Sequence, residues 1–212
     1  DIAALVADYK GKEAVEAGEV FDPSPMNIER RTHRTALPNG MRLAFLPKRT
    51  RGHTVQGSLI MRLGNEQSLR GKRQISALTA GMLLRGTAKL GRQQIADRLE
   101  ALKAQLDISG QDGLVTLAFE TRREQLADFL ALLGEVLRSP DFPAAEFEQL
   151  KAQALAGIDA QRKQPEFLAE RALARHDNPY PKGDPRYQET VEEQVAAIKA
   201  VRRADLKAFH SA

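Results

Sequence analysis

The sequence contains no cysteine and no tryptophan, and only 5% of its 212 residues are aromatic. Without cysteine, the chain has no disulfide, no thiolate metal site and no cysteine nucleophile. Histidine is scarce as well, and no two of the four residues have the short spacing of paired metal ligands; they are His33, His53, His176 and His210. We therefore interpret each histidine as a surface or hydrogen-bonding residue.

Long apolar runs and targeting signals are also missing. No stretch approaches the roughly 18–20 consecutive apolar residues that span a bilayer, and the amino terminus has neither a basic region nor a small-residue cleavage site. The chain begins at Asp1 and ends inside an amphipathic pattern, so we expect it to be a piece of a longer protein. The compartment stays open, because a bacterial periplasm and the cytoplasm are both compatible with these features.

Basic residues are scarce in one stretch of the chain, and acidic residues are scarce in the next. Residues 1–29 contain seven acidic residues against two lysines, whereas residues 30–73 contain eleven lysines and arginines against Glu66 alone. Phe45 is the only aromatic residue of the basic stretch, and single-stranded nucleic acid is bound through several stacking platforms. We therefore predict no nucleic-acid partner and interpret the stretch as a solvated basic face. Attraction of acidic peptides or of a partner to this face is a hypothesis.

Apolar residues make up 42% of the chain, which is enough for a core. A turn-rich joint follows an acidic lead-in, residues 1–30, which we interpret as a linker, and we expect a single domain over residues 31–212. Alternation predicts strands over 41–63, after an Asn39-Gly40 turn. A second strand pair is predicted around the Asp112-Gly113 turn, over residues 105–111 and 113–121.

Helical periodicity appears between and after these strands. Ile75, Leu78 and Met82 recur on one helical face before Gly86, which is typical of a helix end. Further helices are predicted over 91–104, over 126–138, from Pro143 to Pro165, and twice after the loop "HDNPYPKGDP". Strand pairs interrupted by helix pairs predict an α+β fold, with a largely antiparallel β-sheet and helices packed on one face.

Several short motifs of the chain occur in the order in which one peptidase family has them. Gly71-Lys72-Arg73 precedes the helix of residues 74–85, Met82-Leu83 and Gly86-Thr87 end it, and "RSPDFPAAEFEQLKAQALAGI" and "NPYPKGDP" follow. Together these motifs resemble the first domain of an insulinase-like (pitrilysin) zinc metallopeptidase, over most of residues 37–211. The resemblance implies the α+β metallohydrolase-like fold that this family shares with mitochondrial processing peptidase.

The resemblance also fixes a register for the family's zinc-binding motif, H-x-x-E-H. In this register the two histidines are replaced by Ala77 and Gly81, the glutamate base by Ala80, and the third ligand, a glutamate on a later helix, by Gly157. Zinc chemistry needs two imidazoles four residues apart on one helix face and a carboxylate between them. The resemblance therefore implies no catalytic residue, no metal site and no cofactor in this chain, with zinc expected only in a catalytic half or partner.

A packing interpretation applies to the same small residues. Alanine and glycine at helical spacing let another helix approach closely, and a glycine inside a helix costs about 1 kcal/mol relative to alanine. We therefore expect Gly81 and Gly157 at a close helix contact, with Ala154 beside Gly157. The two interpretations agree, because loss of the metal leaves space that is either closed by packing or kept as a cavity.

In the resembled family, two halves close around a chamber, and often only one half is catalytic. The resemblance thus implies an inactive domain that pairs with a catalytic half or partner subunit, completes a peptide-binding chamber, helps to hold an unfolded peptide and stabilises the active half. A family segment whose exposed strand edge pairs with substrate corresponds to Asp107, Ile108 and Ser109. An ordinary edge strand is the alternative for these three residues.

Two other function classes stay open. One is a hydrolase that uses unrecognised residues, although no G-x-S-x-G elbow, P-loop or dinucleotide-binding pattern is present. The other is a stand-alone scaffold or protein-interaction subunit built on the same fold. An H-x-x-E-H helix encoded upstream of Asp1 would identify the chain as the inactive half of a protease, and its absence would favour the scaffold.

Overall fold

A computed structural model describes residues 16–212, so half of the predicted lead-in, residues 1–15, lies outside the described residues. Backbone contacts divide the chain into two compact units, Asp1–Val55 and Gln56–Ala212. The first unit carries a helix and a small sheet, and the second carries the larger sheet and most of the helices.

The described part of the first unit contains helix α1 (Pro25–Arg31), strands β1 (His33–Ala36) and β2 (Arg42–Phe45), and a 3₁₀ turn (Arg51–His53). β1 and β2 pair antiparallel around the predicted Asn39-Gly40 turn. The side chain of Ser24 begins α1 by accepting a hydrogen bond from Asn27 N, and proline suits the first helical position because its missing amide has no partner there.

The sheet of the second unit has three strands in the order β3 (Thr54–Arg62), β5 (Leu114–Arg122), β4 (Gln105–Gln111), with β3 starting two residues before the unit does. β4 and β5 are antiparallel, and the predicted hairpin is confirmed. Its turn residues, Asp112 and Gly113, have φ angles of 52° and 77°. Two positive φ angles are the geometry of the tight turn that matches the twist of paired strands.

Contacts between β3 and β5 run in opposite directions along the two strands. Leu63 N donates to Gly113 O at 2.7 Å, and the Gln56 side chain donates to Glu120 at 2.7 Å at the other end. The sheet is therefore antiparallel throughout.

Eight helices lie in the second unit. They are α2 (Glu66–Leu69), α3 (Arg73–Met82), α4 (Arg92–Ala101), α5 (Leu126–Arg138), α6 (Ala144–Gln161), α7 (Pro165–His176), α8 (Val191–Ala200) and α9 (Arg203–Ser211). Six of them follow the predicted periodicity; the exceptions are α2, a single turn, and α7, which was not predicted. In the described part of the chain, no helix combines enough length and apolar character to cross a bilayer.

One face of the three-stranded sheet is covered by helices. Val115 and Leu117 of β5 form a buried cluster with Ala80 of α3 and with Phe129 and Leu133 of α5. The other face exposes its side chains, which alternate with the buried ones along each strand. The predicted α+β fold, with an antiparallel sheet and helices on one face, is thus confirmed.

Helix α3 has a second packed side. Leu78 and Met82 of α3 lie in a cluster with Phe147 of α6, and with Val201 and Leu206 at the end of the chain. α3 is therefore held between the sheet and α6, and this position fixes the surroundings of its small residues.

Candidate functional site

The candidate site is the pair of helices α3 and α6, which carries all four positions of the expected zinc motif. Ion pairs tie the region after α3 to the start of α6: Arg85 contacts Glu146 at 3.0 Å, and Arg92 contacts the same carboxylate at 3.1 Å. Arg85 also donates to the side chain of Gln153 at 2.9 Å. The two helices are therefore fixed in one register by polar contacts as well as by apolar packing.

Ala80, the position of the general base in the family, faces the sheet. Its side chain is 2% exposed and belongs to the cluster between α3, β5 and α5. It lies over Gly110 of β4, where an added Cβ would come within 2.4 Å of the Ala80 Cβ. The methyl group and the bare glycine thus let α3 approach the sheet closely, and no room is left for a carboxylate.

Gly81, the position of the second histidine, faces α6. A Cβ added to Gly81 would lie 3.1 Å from Cδ2 of Leu150, one of the apolar residues of α6 that pack against the α3 cluster. A contact this short leaves no space for an imidazole unless Leu150 moves. The close helix contact expected at Gly81 is therefore present, and a leucine fills the space.

Gly157, the position of the third ligand, is different. It is exposed, and no heavy atom of another element lies within 4 Å of the place where its Cβ would be. We expected close packing at Gly157 to offset the cost of a glycine inside a helix; this expectation is wrong, because no neighbouring element covers this turn of α6. Ala77, the position of the first histidine, is half-buried on α3.

These surroundings do not fit a zinc ion. Alanine and glycine supply no imidazole or carboxylate, and the side chain next to Gly81 is the apolar Leu150. Among the described residues, no group of three or more histidine, aspartate or glutamate side chains is placed to hold a metal ion. The arrangement therefore offers no ligand set and no base for hydrolysis at the place where the family has them.

The predicted peptide-contact residues lie on β4, which is an edge strand of the sheet. Asp107 and Ser109 are exposed on the open face, beside Ala118 and Thr116 of β5. Ile108 points the other way and packs against the buried clusters. The strand thus brings Asp107 and Ser109 together on one surface but separates Ile108 from them.

Two of the four histidines form hydrogen bonds to groups far away in the sequence. His210 Nε2 lies 2.8 Å from Leu137 O, and His53 Nε2 lies 2.9 Å from a carboxylate oxygen of Glu16. His33 and His176 are exposed. Two of the four histidines therefore belong to the first unit and two to the second.

A polar network at the start of α3 was not predicted. It joins α3 to the loop of residues 177–190, called here the 177–190 loop. Arg73 donates to Tyr187 O at 2.9 Å, and Gln74 donates to a carboxylate oxygen of Glu189 at 2.7 Å. Arg73 also contacts Asp112 in the β4–β5 turn at 3.2 Å. No local sequence pattern signals these contacts, because the partners are about 40 and 115 residues apart.

Two carboxylates of this region have strongly lowered pKa values. The Arg186 guanidinium donates to both oxygens of Asp184 at 2.9 Å, and the Arg186 amide adds a third hydrogen bond; together they lower the pKa of Asp184 to about 2. The pKa of Glu193 is lowered to about 2 by hydrogen bonds, chiefly from the Lys182 ammonium and then from Thr190 N and the Tyr187 hydroxyl. Both carboxylates are ionised at neutral pH and hold the loop in place.

Sequence comparison matches the chain to a peptidase family. The profile of the insulinase family (peptidase family M16) matches residues 51–186. The non-peptidase homologue YmxG of Helicobacter pylori is 32% identical over 117 residues, which cover 54% of this chain and 27% of YmxG.

Several solved structures share the architecture. The inactive domain of a peptidase M16 from Pseudomonas fluorescens superposes with a TM-score of 0.72 at 25% identity, over 85% of this chain and 43% of that one. A Helicobacter pylori protease superposes with a TM-score of 0.70 at 16% identity, over 85% of this chain and 42% of that protein. A mutant of the ferredoxin protease FusC, in complex with Arabidopsis ferredoxin, superposes with a TM-score of 0.57 at 14% identity, over 94% of this chain and 21% of that one. The chain thus spans less than half the length of each of these relatives.

Proposed function

Because the chain belongs to the insulinase family, peptidase family M16, and has alanine or glycine at all four zinc-motif positions, we propose that it is a catalytically inactive peptidase-like domain. Its role is to pair with an active half, on the same polypeptide or in a partner subunit, and to complete and stabilise a peptide-binding chamber. No cofactor is required by this chain itself, and zinc belongs to the catalytic half.

One observation carries this proposal. The packing of Leu150 against Gly81, and of Ala80 over Gly110, fills the places where a ligand and a base would stand. A domain that had lost one ligand by chance would keep an open site, whereas here apolar packing on both sides of α3 replaces it. The names of two relatives, a non-peptidase homologue and an inactive domain, support the same conclusion.

Peptide contact by this domain is part of the proposal. β4 is an edge strand, and an extended peptide adds to such an edge through backbone hydrogen bonds, with alternate side chains read by the sheet surface. Asp107 and Ser109 stand on that surface, so they are the side chains proposed to meet a bound peptide. Ile108 contributes through its backbone, because its side chain belongs to the core.

The proposal is tested with the chain alone and with the catalytic half from the same polypeptide or operon. Alone, the chain is expected to bind no stoichiometric zinc and to leave an unstructured peptide uncut. Together, the two are expected to elute as one complex with faster hydrolysis than the catalytic half by itself. Replacing the glutamate base of the catalytic half is the matched control and should abolish all hydrolysis. Zinc binding or hydrolysis by the chain alone would contradict the inactive assignment.

A stand-alone scaffold is the second candidate function, because the name of the non-peptidase relative is compatible with either role. A scaffold is expected to form a stable complex with proteins that lack the H-x-x-E-H motif, and to leave the hydrolysis rate of any catalytic half unchanged. Measuring that rate with and without the chain therefore separates the two candidates.

A further inference from the structure

The described part of the lead-in is bound to the first unit by a set of specific contacts. Glu19 N donates to Arg49 O at 2.9 Å, and Gly52 N donates to Glu16 O at 3.3 Å. The two hydrogen bonds run in opposite order along the two segments, as in an antiparallel strand pair. Residues 16–21, called here the lead segment, thus lie along residues 47–53 of the loop that follows β2.

The close approach of these two segments depends on Gly18. A Cβ added there would lie 2.9 Å from Arg49 O and 3.1 Å from Arg51 N. Both neighbours are backbone atoms, which cannot rotate away as a side chain can. Any larger residue at this position would therefore push the lead segment off the loop.

Side chains add charge and an aromatic anchor to the backbone contacts. Glu19 pairs with Arg31 at 2.9 Å, where both side chains are about 30% exposed, and Glu16 contacts His53 at 2.9 Å. Two cations lie near the Phe21 ring, with Lys48 Nζ 4.8 Å and the Arg31 guanidinium carbon 5.3 Å from its centroid. Cations at such distances are attracted to the face of an aromatic ring.

From these contacts we propose that residues 31–53 form a docking site for an extended acidic peptide of pattern E-x-G-E-x-F. In this chain the lead segment occupies the site in cis. The predicted lead-in is therefore a bound ligand of the first unit as well as a connection. An acidic segment of another chain that carries the same pattern competes for the same backbone and basic groups.

The site accounts for the unequal charge of the two stretches. The acidic residues of the lead-in and the basic residues that follow it attract one another, so part of the basic face is covered from within the chain. Because these ion pairs are partly exposed, salt weakens them, while the backbone pairing at Gly18 remains. The basic groups attract an acidic peptide, and the close backbone contact at Gly18 excludes peptides with a larger residue at that position.

A labelled peptide with the sequence of residues 16–24, EAGEVFDPS, tests the proposal on the full chain by fluorescence anisotropy. The cis segment competes at an effective concentration of about a millimolar, so the wild-type chain should bind the peptide weakly. A Gly18→Val chain, whose own lead segment is displaced, should bind it at least about tenfold more tightly. Adding Arg31→Ala to that chain should reduce this binding.

The matched control is the same peptide with valine in place of its glycine, which should not bind either chain. Equal binding of the peptide to both chains, no binding to the Gly18→Val chain, or equal binding of the two peptides would overturn the proposal. Circular dichroism verifies that the Gly18→Val chain is folded. Independently of the peptide, a glutamyl endopeptidase should cut after Glu16 and Glu19 faster in the Gly18→Val chain than in the wild type, and equal rates would contradict cis docking.

Discussion

Gly110 and Gly157 are both glycines inside regular elements, yet their surroundings differ. Gly110 lies under Ala80 at a distance that excludes a Cβ, whereas the Cβ position of Gly157 is open. The first glycine is therefore required by packing between α3 and the sheet. The second is only a helical residue with more backbone freedom than alanine.

Gly110→Ala is expected to destabilise the protein by about 1–3 kcal/mol, the usual cost of forcing an extra methyl group into a packed core. The steric cause predicts that Ala80→Gly, made in the same chain, recovers part of this loss, because it removes the methyl group that the new Cβ meets. Urea denaturation midpoints of the single and double variants measure both effects.

Gly157→Ala is the matched control for this prediction. The same chemical change at an open helical position should stabilise the protein by roughly 0.5–1 kcal/mol, because alanine favours the helix and restricts the unfolded chain. Destabilisation by both variants would show that Gly157 is packed in solution, contrary to the structure.

Among the secondary-structure elements, those with a buried stripe could be predicted from the sequence. Apolar residues repeat about every 3.6 residues in the helix around Leu78 and Met82, and every second residue in the β4–β5 hairpin. Both repeats indicate an element that is buried on one side. β1 has no such signal, because all four of its residues are exposed. α1 overlaps the turn-rich joint that the sequence predicts, although Ser24 before Pro25 is a helix-start pattern.

The candidate site was predictable only in part, for a related reason. The absence of ligands at Ala77, Ala80 and Gly81 is a property of the sequence, so the register is enough to recognise it. The neighbours that fill the space come from elsewhere in the chain. Gly110 is 30 residues from Ala80, and a glycine within a strand was the available hint of close backbone approach.

The 177–190 loop is an element without regular structure whose position depends on ionised carboxylates. Asp184 and Glu193 have pKa values of about 2 in the folded protein, against about 3.9 and 4.3 in an unfolded chain. A lowered pKa means that the stabilisation is complete above the unfolded value and is lost as pH falls toward the folded value. The contribution of both residues should therefore disappear between about pH 4.5 and pH 2.

Each of the variants Asp184→Asn and Glu193→Gln should reduce the slope of unfolding free energy against pH in that range. The reduction corresponds to the uptake of up to about one proton on unfolding for each group removed. Urea midpoints measured from pH 7 to pH 2.5 give the slope for each variant. Glu148→Gln, an exposed residue on α6, is the control for simple removal of a carboxylate. If the Asp184 and Glu193 variants retain the wild-type slope, the loop is not held by these ion pairs.

The chain keeps the architecture of its peptidase family, while alanine and glycine stand at the positions that the resemblance assigns to the metal motif. This is possible because the position of α3 depends on apolar contacts on two sides, to β5 and α5 through Ala80, and to α6 through Leu78 and Met82. None of these contacts needs a metal ion. The fold therefore survives loss of the chemistry, and the former site is closed at Gly81 by Leu150.

Closure of the site predicts that restoring the three zinc ligands is not sufficient. A chain with Ala77→His, Gly81→His and Gly157→Glu should remain without stoichiometric zinc, because the new imidazole at position 81 meets Leu150. Adding Leu150→Ala opens that space and should allow three protein ligands and a water molecule to hold zinc. Metal analysis after dialysis compares the two variants, and Leu150→Ala alone is the control. Zinc binding without Leu150→Ala would show that the leucine rotates away freely, and the closed site would then be a preference of one rotamer rather than a property of the packed helices.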